Sequence, residues 1–207
     1  MKHLPFLLLI LFFGNNTFAQ DTISLKNASF EWSSAVANSI PAGWEICSRP
    51  NETPPDVHSK DTRHYKVNHA PQIGGNYIGL VVRSNFTYES IHQKLKKELQ
   101  EGKTYKMQMY AAMSDTFKSH DSKTTKLASF NTPAIVRIWG VKNKCETLEL
   151  LYESEPINQV EWKKLNIEFT PKMNHDRILI EAFYDKMITD PYNGNILLDG
   201  LSEIIEQ

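Results

Sequence analysis

The sequence lacks an excess of charge of either sign. Its 207 residues include 23 Lys and Arg against 24 Asp and Glu, which gives a formal net charge of -1 and a pI of about 6.7. Proteins that bind nucleic acid or anionic membranes usually present clustered Lys and Arg. The one dense basic group, Lys94, Lys96 and Lys97, is matched by Glu98 and Glu101. We therefore expect no nucleic acid partner.

After residue 19 the sequence also lacks an apolar run of the roughly 20 residues that a membrane-spanning helix needs. The first 19 residues have the three parts of a secretory signal peptide: basic Lys2 and His3, an apolar run over 4–13, and a small-residue exit ending at Ala19. We expect cleavage after Ala19 and export to the periplasm, the outer-membrane surface or the extracellular space. The mature protein should contain no membrane span.

Cysteine is scarce, with only Cys47 and Cys145 in the chain. Disulfides persist in oxidising compartments outside the cytoplasm, so export favours a bridge between these two residues. The alternative is two separate buried thiols, which pack as small hydrophobic groups. The sequence places no histidine cluster beside the two cysteines, and a zinc site is not expected.

Recognisable catalytic motifs are absent as well. The sequence contains no Gly-x-Ser-x-Gly or His-Glu-x-x-His, and the histidines within 58–69 are irregularly spaced. A glycosidase-like pair of carboxylates would have to come from four glutamates on or beside expected strands, and their spacing selects no two of them. These are Glu149, Glu153, Glu168 and Glu181. We expect a protein that is not an enzyme.

What the sequence does contain is a series of short runs of alternating or β-branched residues, separated by Gly, Pro, Asn and Asp. The stretch 89–99 might form a helix, but a turn follows at Glu101-Gly102-Lys103, and we predict a strand. About ten strands without intervening helices predict an all-β, two-sheet antiparallel sandwich, a jelly roll, formed by residues 20–207 as one domain. The runs are 23–25, 44–47, 77–83, 90–95, 105–113, 134–141, 147–152, 164–170, 178–184 and 195–205.

Two polar stretches, 48–76 and 114–133, interrupt this pattern. Loops of this length without their own structure are uncommon unless they are functional or mobile. We therefore expect any ligand contacts to involve these two loops.

Several short motifs occur in order along nearly the whole mature chain. On these motifs the chain resembles the galactose-binding-like jelly rolls found among carbohydrate-binding modules of secreted glycan-degrading enzymes. They include Asn27-Ala-Ser-Phe-Glu31, Ile40-Pro-Ala-Gly-Trp44, Gly74-Gly-Asn-Tyr-Ile-Gly79 and Asn195-Ile-Leu-Leu-Asp-Gly-Leu201. A narrower set is similar to single-domain exported proteins of Bacteroidetes, some of them fused to outer-membrane or gliding-associated modules. That set includes Gly43-Trp44-Glu-Ile-Cys47, Arg137-Ile-Trp-Gly140 and Glu181-Ala-Phe-Tyr184.

The resemblance implies a structural Ca²⁺ ion, held by a carboxylate of the first motif and an Asp near the last strand. In this sequence those residues are Glu31 and Asp199. Ca²⁺ takes six to eight oxygen ligands at roughly 2.3–2.6 Å, and two carboxylates with backbone carbonyls would clamp the first and last strands together. The alternative is that both acids accept backbone hydrogen bonds. Gly200 stands where many relatives have a second acid, which counts against the ion.

A glycan site needs rings for the C–H faces of sugars and planar polar side chains for pairs of hydroxyls. Alternation places Arg137, Trp139, Tyr110 and Gln108 on the non-core sides of their strands, and we expect these four to form the site. The rim is expected to include Arg83, Tyr88, Glu89 and Asp56. The alternative is a packing layer beneath the long loops, with the arginines ion-paired to the rim carboxylates.

The function expected from the sequence is a non-catalytic binding module with a glycan as its ligand. The alternative is an accessory subunit of an outer-membrane, secretion or gliding-motility assembly, with another cell-surface protein as its partner. Both expectations depend on fold analogy, because no motif in the sequence specifies a ligand.

Overall fold

The computed structural model describes residues 21–32, 37–47 and 52–207, so the predicted signal peptide lies outside the described residues. Within them, one short 3₁₀ turn at His64–Lys66 accompanies fourteen strands, and no helix is long and apolar enough to cross a membrane. The strands are β1 (Thr22–Ile23), β2 (Glu45–Ile46), β3 (Asp56–Ser59), β4 (Asn76–Val82), β5 (Ser90–Leu99), β6 (Tyr105–Ala112), β7 (Lys118–His120), β8 (Leu127–Ser129), β9 (Ala134–Val141), β10 (Thr147–Glu153), β11 (Lys163–Phe169), β12 (His175–Tyr184), β13 (Gly194–Asp199) and β14 (Ile204–Glu206).

Most of these strands belong to two antiparallel sheets that pack on each other. The seven-stranded sheet has the order β1-β14-β6-β13-β4-β3, with β11 also paired to β6. The five-stranded sheet has the order β10-β9-β12-β5-β2, and β7 and β8 form a separate hairpin. This arrangement confirms the predicted all-β, two-sheet antiparallel sandwich.

The main core fills the space between the two sheets. Met107 and Met109 of β6 belong to the same buried cluster as Val136 and Ile138 of β9, as the alternation of both strands predicts. The residues between them in sequence point away from this core. Each sheet therefore has an outer face, and the two outer faces lie on opposite sides of the molecule.

A second, smaller apolar cluster covers part of the outer face of the seven-stranded sheet. Tyr77 and Val81 of β4 and Leu197 of β13 point away from the main core and are nevertheless buried. Phe117 precedes β7 and Phe130 follows β8, so both lie at the open end of the hairpin. Their rings cover these residues, with centroids 5.3 Å apart. The stretch 114–133 is therefore a packed layer on the sheet.

The predicted strands agree with the structure except in three places. The run 195–205 forms two strands because Gly200, with a φ of 55°, turns the chain between β13 and β14. Both predicted long loops contain strands, β3 in the first and the β7–β8 hairpin in the second. These three strands are short and polar, so the sequence shows no alternation that would predict them. They form because β3 pairs with β4 and β7 pairs with β8. The stretch at Ser90–Leu99 is a strand, as predicted.

Cys47 and Cys145 form a disulfide bridge, which confirms the favoured prediction. Cys47 follows β2 at one edge of the five-stranded sheet, and Cys145 lies in the connection between β9 and β10 at the other edge. The Cα atoms of the two cysteines are 5.3 Å apart, so the β9–β10 connection must reach over this sheet to bring Cys145 to Cys47, beside the buried side chain of His92. Because its two sulfurs are bonded to each other, they offer no thiolates to a metal ion.

Opening the bridge should lower the free energy of unfolding by about 2–4 kcal/mol, because a bridge across 98 residues restricts the unfolded chain. We expect this loss in urea unfolding of a Cys47→Ser, Cys145→Ser double variant compared with the oxidised protein. The matched control is the wild-type protein in reductant, which should unfold at the same urea concentration as the variant. Equal midpoints for the oxidised protein and the variant would contradict a stabilising bridge.

Candidate functional site

The two long stretches meet over β4 and enclose a cavity of about 230 Å³. Its walls combine aromatic rings with ionisable groups. We call this cavity the loop pocket. The ionisable and aromatic side chains that line it are Glu52, Asp56, Tyr65, Arg83, Glu89, Phe117, His120 and Phe130.

Two buried polar side chains fix the hairpin wall of the loop pocket. Asn195 of β13 accepts a hydrogen bond from the backbone N–H of Ser114 at 2.9 Å and donates to the carbonyls of Ser114 and Phe130. At the tip of the hairpin, Asp121 accepts a hydrogen bond from Ser84 Oγ at 2.5 Å. This bond, with other donors, holds the pKa of Asp121 well below its usual range. The hairpin is thereby tied to the sheet at both ends.

Beside the hairpin, the 3₁₀ turn also contributes to the wall of the loop pocket, and its residues Tyr65 and Lys66 have positive φ angles of 51° and 65°. Side chains with a Cβ rarely adopt this conformation, and such strain is maintained only where surrounding contacts hold it. Here the Tyr65 ring stacks on Phe117, with centroids 5.2 Å apart and planes 8° from parallel. Thr116 Oγ1 also donates to the carbonyl of Lys66 at 2.9 Å. These contacts place the Tyr65 ring at the wall of the loop pocket.

Arg83 is the centre of the polar wall. Its guanidinium group is ion-paired to Glu89 and lies 3.5 Å from Glu52, and its Nη2 donates to Thr53 Oγ1 at 2.7 Å. Glu89 also accepts the backbone N–H of Val81 at 3.0 Å, so both of its carboxylate oxygens have donors. Nη1 of Arg83 is buried and has no hydrogen-bond partner among the described residues.

Asp56 is the second buried acid of the loop pocket. Its Oδ1 accepts the backbone N–H of Asn38 at 2.8 Å, and burial raises the pKa of Asp56 to about 6. Burial also raises the pKa of Glu89, and the nearby Asp56 adds to this shift while Arg83 opposes it. Acids crowded into a desolvated cavity in this way are common at functional sites.

The prediction that Arg137, Trp139, Tyr110 and Gln108 form one site is wrong. Arg137 and Trp139 are on β9 and Tyr110 and Gln108 are on β6, so the two pairs occupy the outer faces of different sheets. Alternation correctly identified their non-core sides. It carries no information on which strands share a sheet, and that pairing decides whether two outer-facing residues meet.

On the five-stranded sheet, the positive charge of Arg137 is balanced by neighbouring groups. Its Nε bonds Glu153 at 2.8 Å, and its guanidinium lies 3.5 Å from the centroid of the Phe183 ring. Trp139 Nε1 donates to Glu181 at 2.8 Å. Tyr88, predicted at the rim, packs edge-on against Phe183 at 5.1 Å and belongs to this patch, away from the loop pocket. These contacts form a packing layer, as in the alternative, but the partner of Arg137 is Glu153 and not a rim carboxylate. The expected ion pair with a rim carboxylate is that of Arg83 with Glu89.

On the seven-stranded sheet, Gln108 lines an open groove of about 480 Å³ between β11 and β14. Its Nε2 donates to Asn166 Oδ1 at 2.9 Å, and Lys164 lies over the Tyr110 ring at 5.5 Å. These side chains are exposed or half-buried, and they pair with one another. Of the eight predicted ligand residues, the structure brings Arg83, Glu89 and Asp56 together.

Glu31 and Asp199 both bind the segment 72–75. Asp199 Oδ2 accepts the backbone N–H groups of Gln72 and Ile73 at 2.8 Å each, and Glu31 accepts that of Gly75 at 3.1 Å. These donors occupy lone pairs that a Ca²⁺ ion would need, so the geometry fits the hydrogen-bonding alternative and does not fit a calcium ligand set. Calcium binding stays a prediction without support from these contacts.

Sequence reasoning did not identify Tyr65, Phe117, Phe130, Glu52 or His120 as site residues, although it expected ligand contacts in the two stretches that contain them. The sequence feature that could have identified them is the presence of aromatic residues within otherwise polar stretches. Such residues in a loop need a surface to pack against, and this surface is the outer face of β4 and β13.

Solved structures with the same fold have low sequence identity to this chain. A cyclase from Fischerella sp. TAU has a TM-score of 0.56 at 14% identity, covering 91% of this chain and 98% of that chain. The K2 cleaved adhesin domain of Lys-gingipain has a TM-score of 0.51 at 14% identity, with the same coverage. The arabinose-bound MgGH51 α-L-arabinofuranosidase has a TM-score of 0.55 at 12% identity, covering 89% of this chain and 26% of that one.

No protein-family model and no curated protein matches the sequence. The structural likeness shows the fold, a two-sheet antiparallel β-sandwich, as the sequence predicted. Since this fold carries unrelated activities, function has to be argued from the loop pocket.

Asp56 should make the folded protein less stable as pH rises. Between its ordinary pKa of 3.8 and its folded value of about 6, the folded state binds more protons than the unfolded state. The stabilisation is fully present below pH 3.8 and is lost as pH rises through 6, a change of up to about 3 kcal/mol.

The Asp56→Asn variant keeps an acceptor for Asn38 and should lack this pH dependence. Urea unfolding of both proteins at pH 4, 5, 6 and 7 measures the difference, and the variant should gain stability relative to wild type as pH rises. Parallel stability curves for the two proteins would show that Asp56 titrates as it does in water.

Proposed function

We propose that this protein is an exported, non-catalytic binding module that takes carbohydrate in the loop pocket. The observation that carries the proposal is the combination, in one cavity, of an aromatic wall and a buried polar wall. Tyr65 and Phe117 supply rings against which a sugar C–H face packs, and Arg83 supplies a planar donor group for hydroxyl oxygens.

The loop pocket is also held in shape before any ligand arrives. Asn195 and Asp121 fix the hairpin, and the ion pairs of Arg83 fix the opposite side. A preformed site loses less conformational entropy on binding than a flexible one. This matters for sugars, because each hydrogen bond from a sugar hydroxyl to the protein replaces a hydrogen bond to water and adds little net free energy. Both oxygens of Glu89 already have donors, so its contacts suit a positioning role.

Fold likeness supports the architecture of this proposal. Among proteins that share the fold, one is named for an adhesin domain and one for an arabinose-bound arabinofuranosidase. Another is named as a cyclase, so the fold accommodates both binding and catalysis. The proposal therefore depends on the contents of the cavity.

Tyr65→Ala should weaken glycan binding about tenfold or more, because it removes the ring at the wall of the pocket. Isothermal titration calorimetry of the protein with a panel of mono- and oligosaccharides measures this effect. Trp139→Ala is the matched aromatic control on the opposite sheet and should bind as wild type does.

Loss of binding in Trp139→Ala with normal binding in Tyr65→Ala would move the site to the five-stranded sheet. A folded wild-type protein that binds no glycan in the panel would contradict the proposal and favour a protein partner.

A further inference from the structure

The charges around the loop pocket do not balance. Glu52, Asp56 and Glu89 supply three carboxyl groups, and Arg83 is the one permanent cation among the described residues that line the cavity. Arg83 is committed to two of these acids, Glu89 by direct contact and Glu52 at 3.5 Å. Asp56 has no direct ion pair among the described residues, and Arg83 and His64 act on it only from a distance.

The geometry of Asp56 makes this imbalance relevant to a ligand. Its side chain is 4% exposed and lines the cavity, and its Oδ1 accepts one backbone N–H. Among the described residues no donor reaches Oδ2. A buried carboxylate with an open oxygen has lost its hydration without gaining a counter-charge, and burial accordingly raises its pKa.

The other titratable groups near Asp56 correct the imbalance only in part, since burial raises the pKa of Asp56 and His64 acts against this shift. They are Tyr65 and His64 of the 3₁₀ turn and His120 of the hairpin, and none is a permanent cation. His120 Nδ1 donates a hydrogen bond to the carbonyl of Thr125 at 2.9 Å. Among the described residues none forms an ion pair with Asp56, so a ligand can supply the positive charge there.

We propose that the carbohydrate bound by the loop pocket carries a free amine, as in a 2-amino-2-deoxyhexose residue, whose ammonium group pairs with Asp56. The inference rests on the proposed function and names the sugar class for that same site. Tyr65 and Phe117 favour the same ligand, because aromatic faces attract cations as well as sugar C–H groups. The hydroxyls of the sugar remain available to Arg83 and Thr53.

The test is calorimetric titration at pH 6.5 with three oligosaccharides of equal length: glucosamine, N-acetylglucosamine and glucose oligomers. Glucosamine oligomers should bind at least about tenfold more tightly than the other two, because a charge-assisted hydrogen bond is roughly twice as strong as a neutral one. Asp56→Asn should remove this preference and leave the weaker binding of the neutral oligomers. Glu168→Gln, an exposed acid on β11, is the control and should retain it.

A second variant covers the case in which Asp56→Asn does not fold. Glu52→Gln removes another negative charge from the cavity, and its side chain is more exposed than that of Asp56. This variant should also reduce the preference for the amine. An unchanged preference in both folded variants would overturn the assignment of the ammonium group to this cavity.

Two further results separate this inference from the proposed function. Equal binding of amino and neutral oligomers would overturn the amine inference and leave carbohydrate binding in place. Binding of cyclohexylamine as tight as that of glucosamine, with no binding of neutral sugars, would overturn the carbohydrate function and leave cation recognition in place. No measurable binding of any of these probes would overturn both.

Discussion

The structure depends on the burial of the outer face of β4 and β13 beneath the two long stretches. A two-sheet sandwich needs to bury only its inner faces, and here Tyr77, Val81 and Leu197 form a second apolar surface on the outside. Phe117 and Phe130 cover it, and burying a large apolar side chain contributes roughly 1.5–3 kcal/mol. Segments that would otherwise be loops are thereby packed, and the loop pocket forms at the margin of this packing.

The position of the cavity determines its electrostatics. Interactions between charges are stronger beside an apolar cluster than in water, and an unpaired charge there is also more costly. Arg83 and Glu89 satisfy this condition by pairing, and Asp56 does not. The patch on the five-stranded sheet shows the contrast, because Arg137 there is balanced by Glu153 and by the nearby Glu181. The two regions therefore differ in their ion pairs: the arginine on the five-stranded sheet is balanced by nearby glutamates, whereas Asp56 in the loop pocket has no ion pair among the described residues.

Hydrogen bonds that hold the loops also account for the positions of Glu31 and Asp199, the two residues that the resemblance implied as calcium ligands. Asp199 and Glu31 hold the segment 72–75 through backbone N–H groups. Asn195 holds the start of the hairpin segment through the backbone N–H of Ser114, and Asp121 holds its tip through the hydroxyl of Ser84. Buried backbone donors and acceptors in irregular segments need partners. Carboxylates and amides at the ends of strands supply them.

The sequence by itself determined the strand content, the antiparallel sandwich and the disulfide between Cys47 and Cys145, because alternation and turn residues act locally and export favours a bridge. It also pointed to the two long polar stretches that enclose the loop pocket, and its eight predicted ligand residues included Arg83, Glu89 and Asp56. Only the tertiary structure decided that Trp139 and Tyr110 lie on opposite sides of the molecule and that Tyr65 and Phe117 face a common cavity. Strand order and loop packing follow from contacts between residues far apart in the chain, and a period-two pattern contains no record of such contacts.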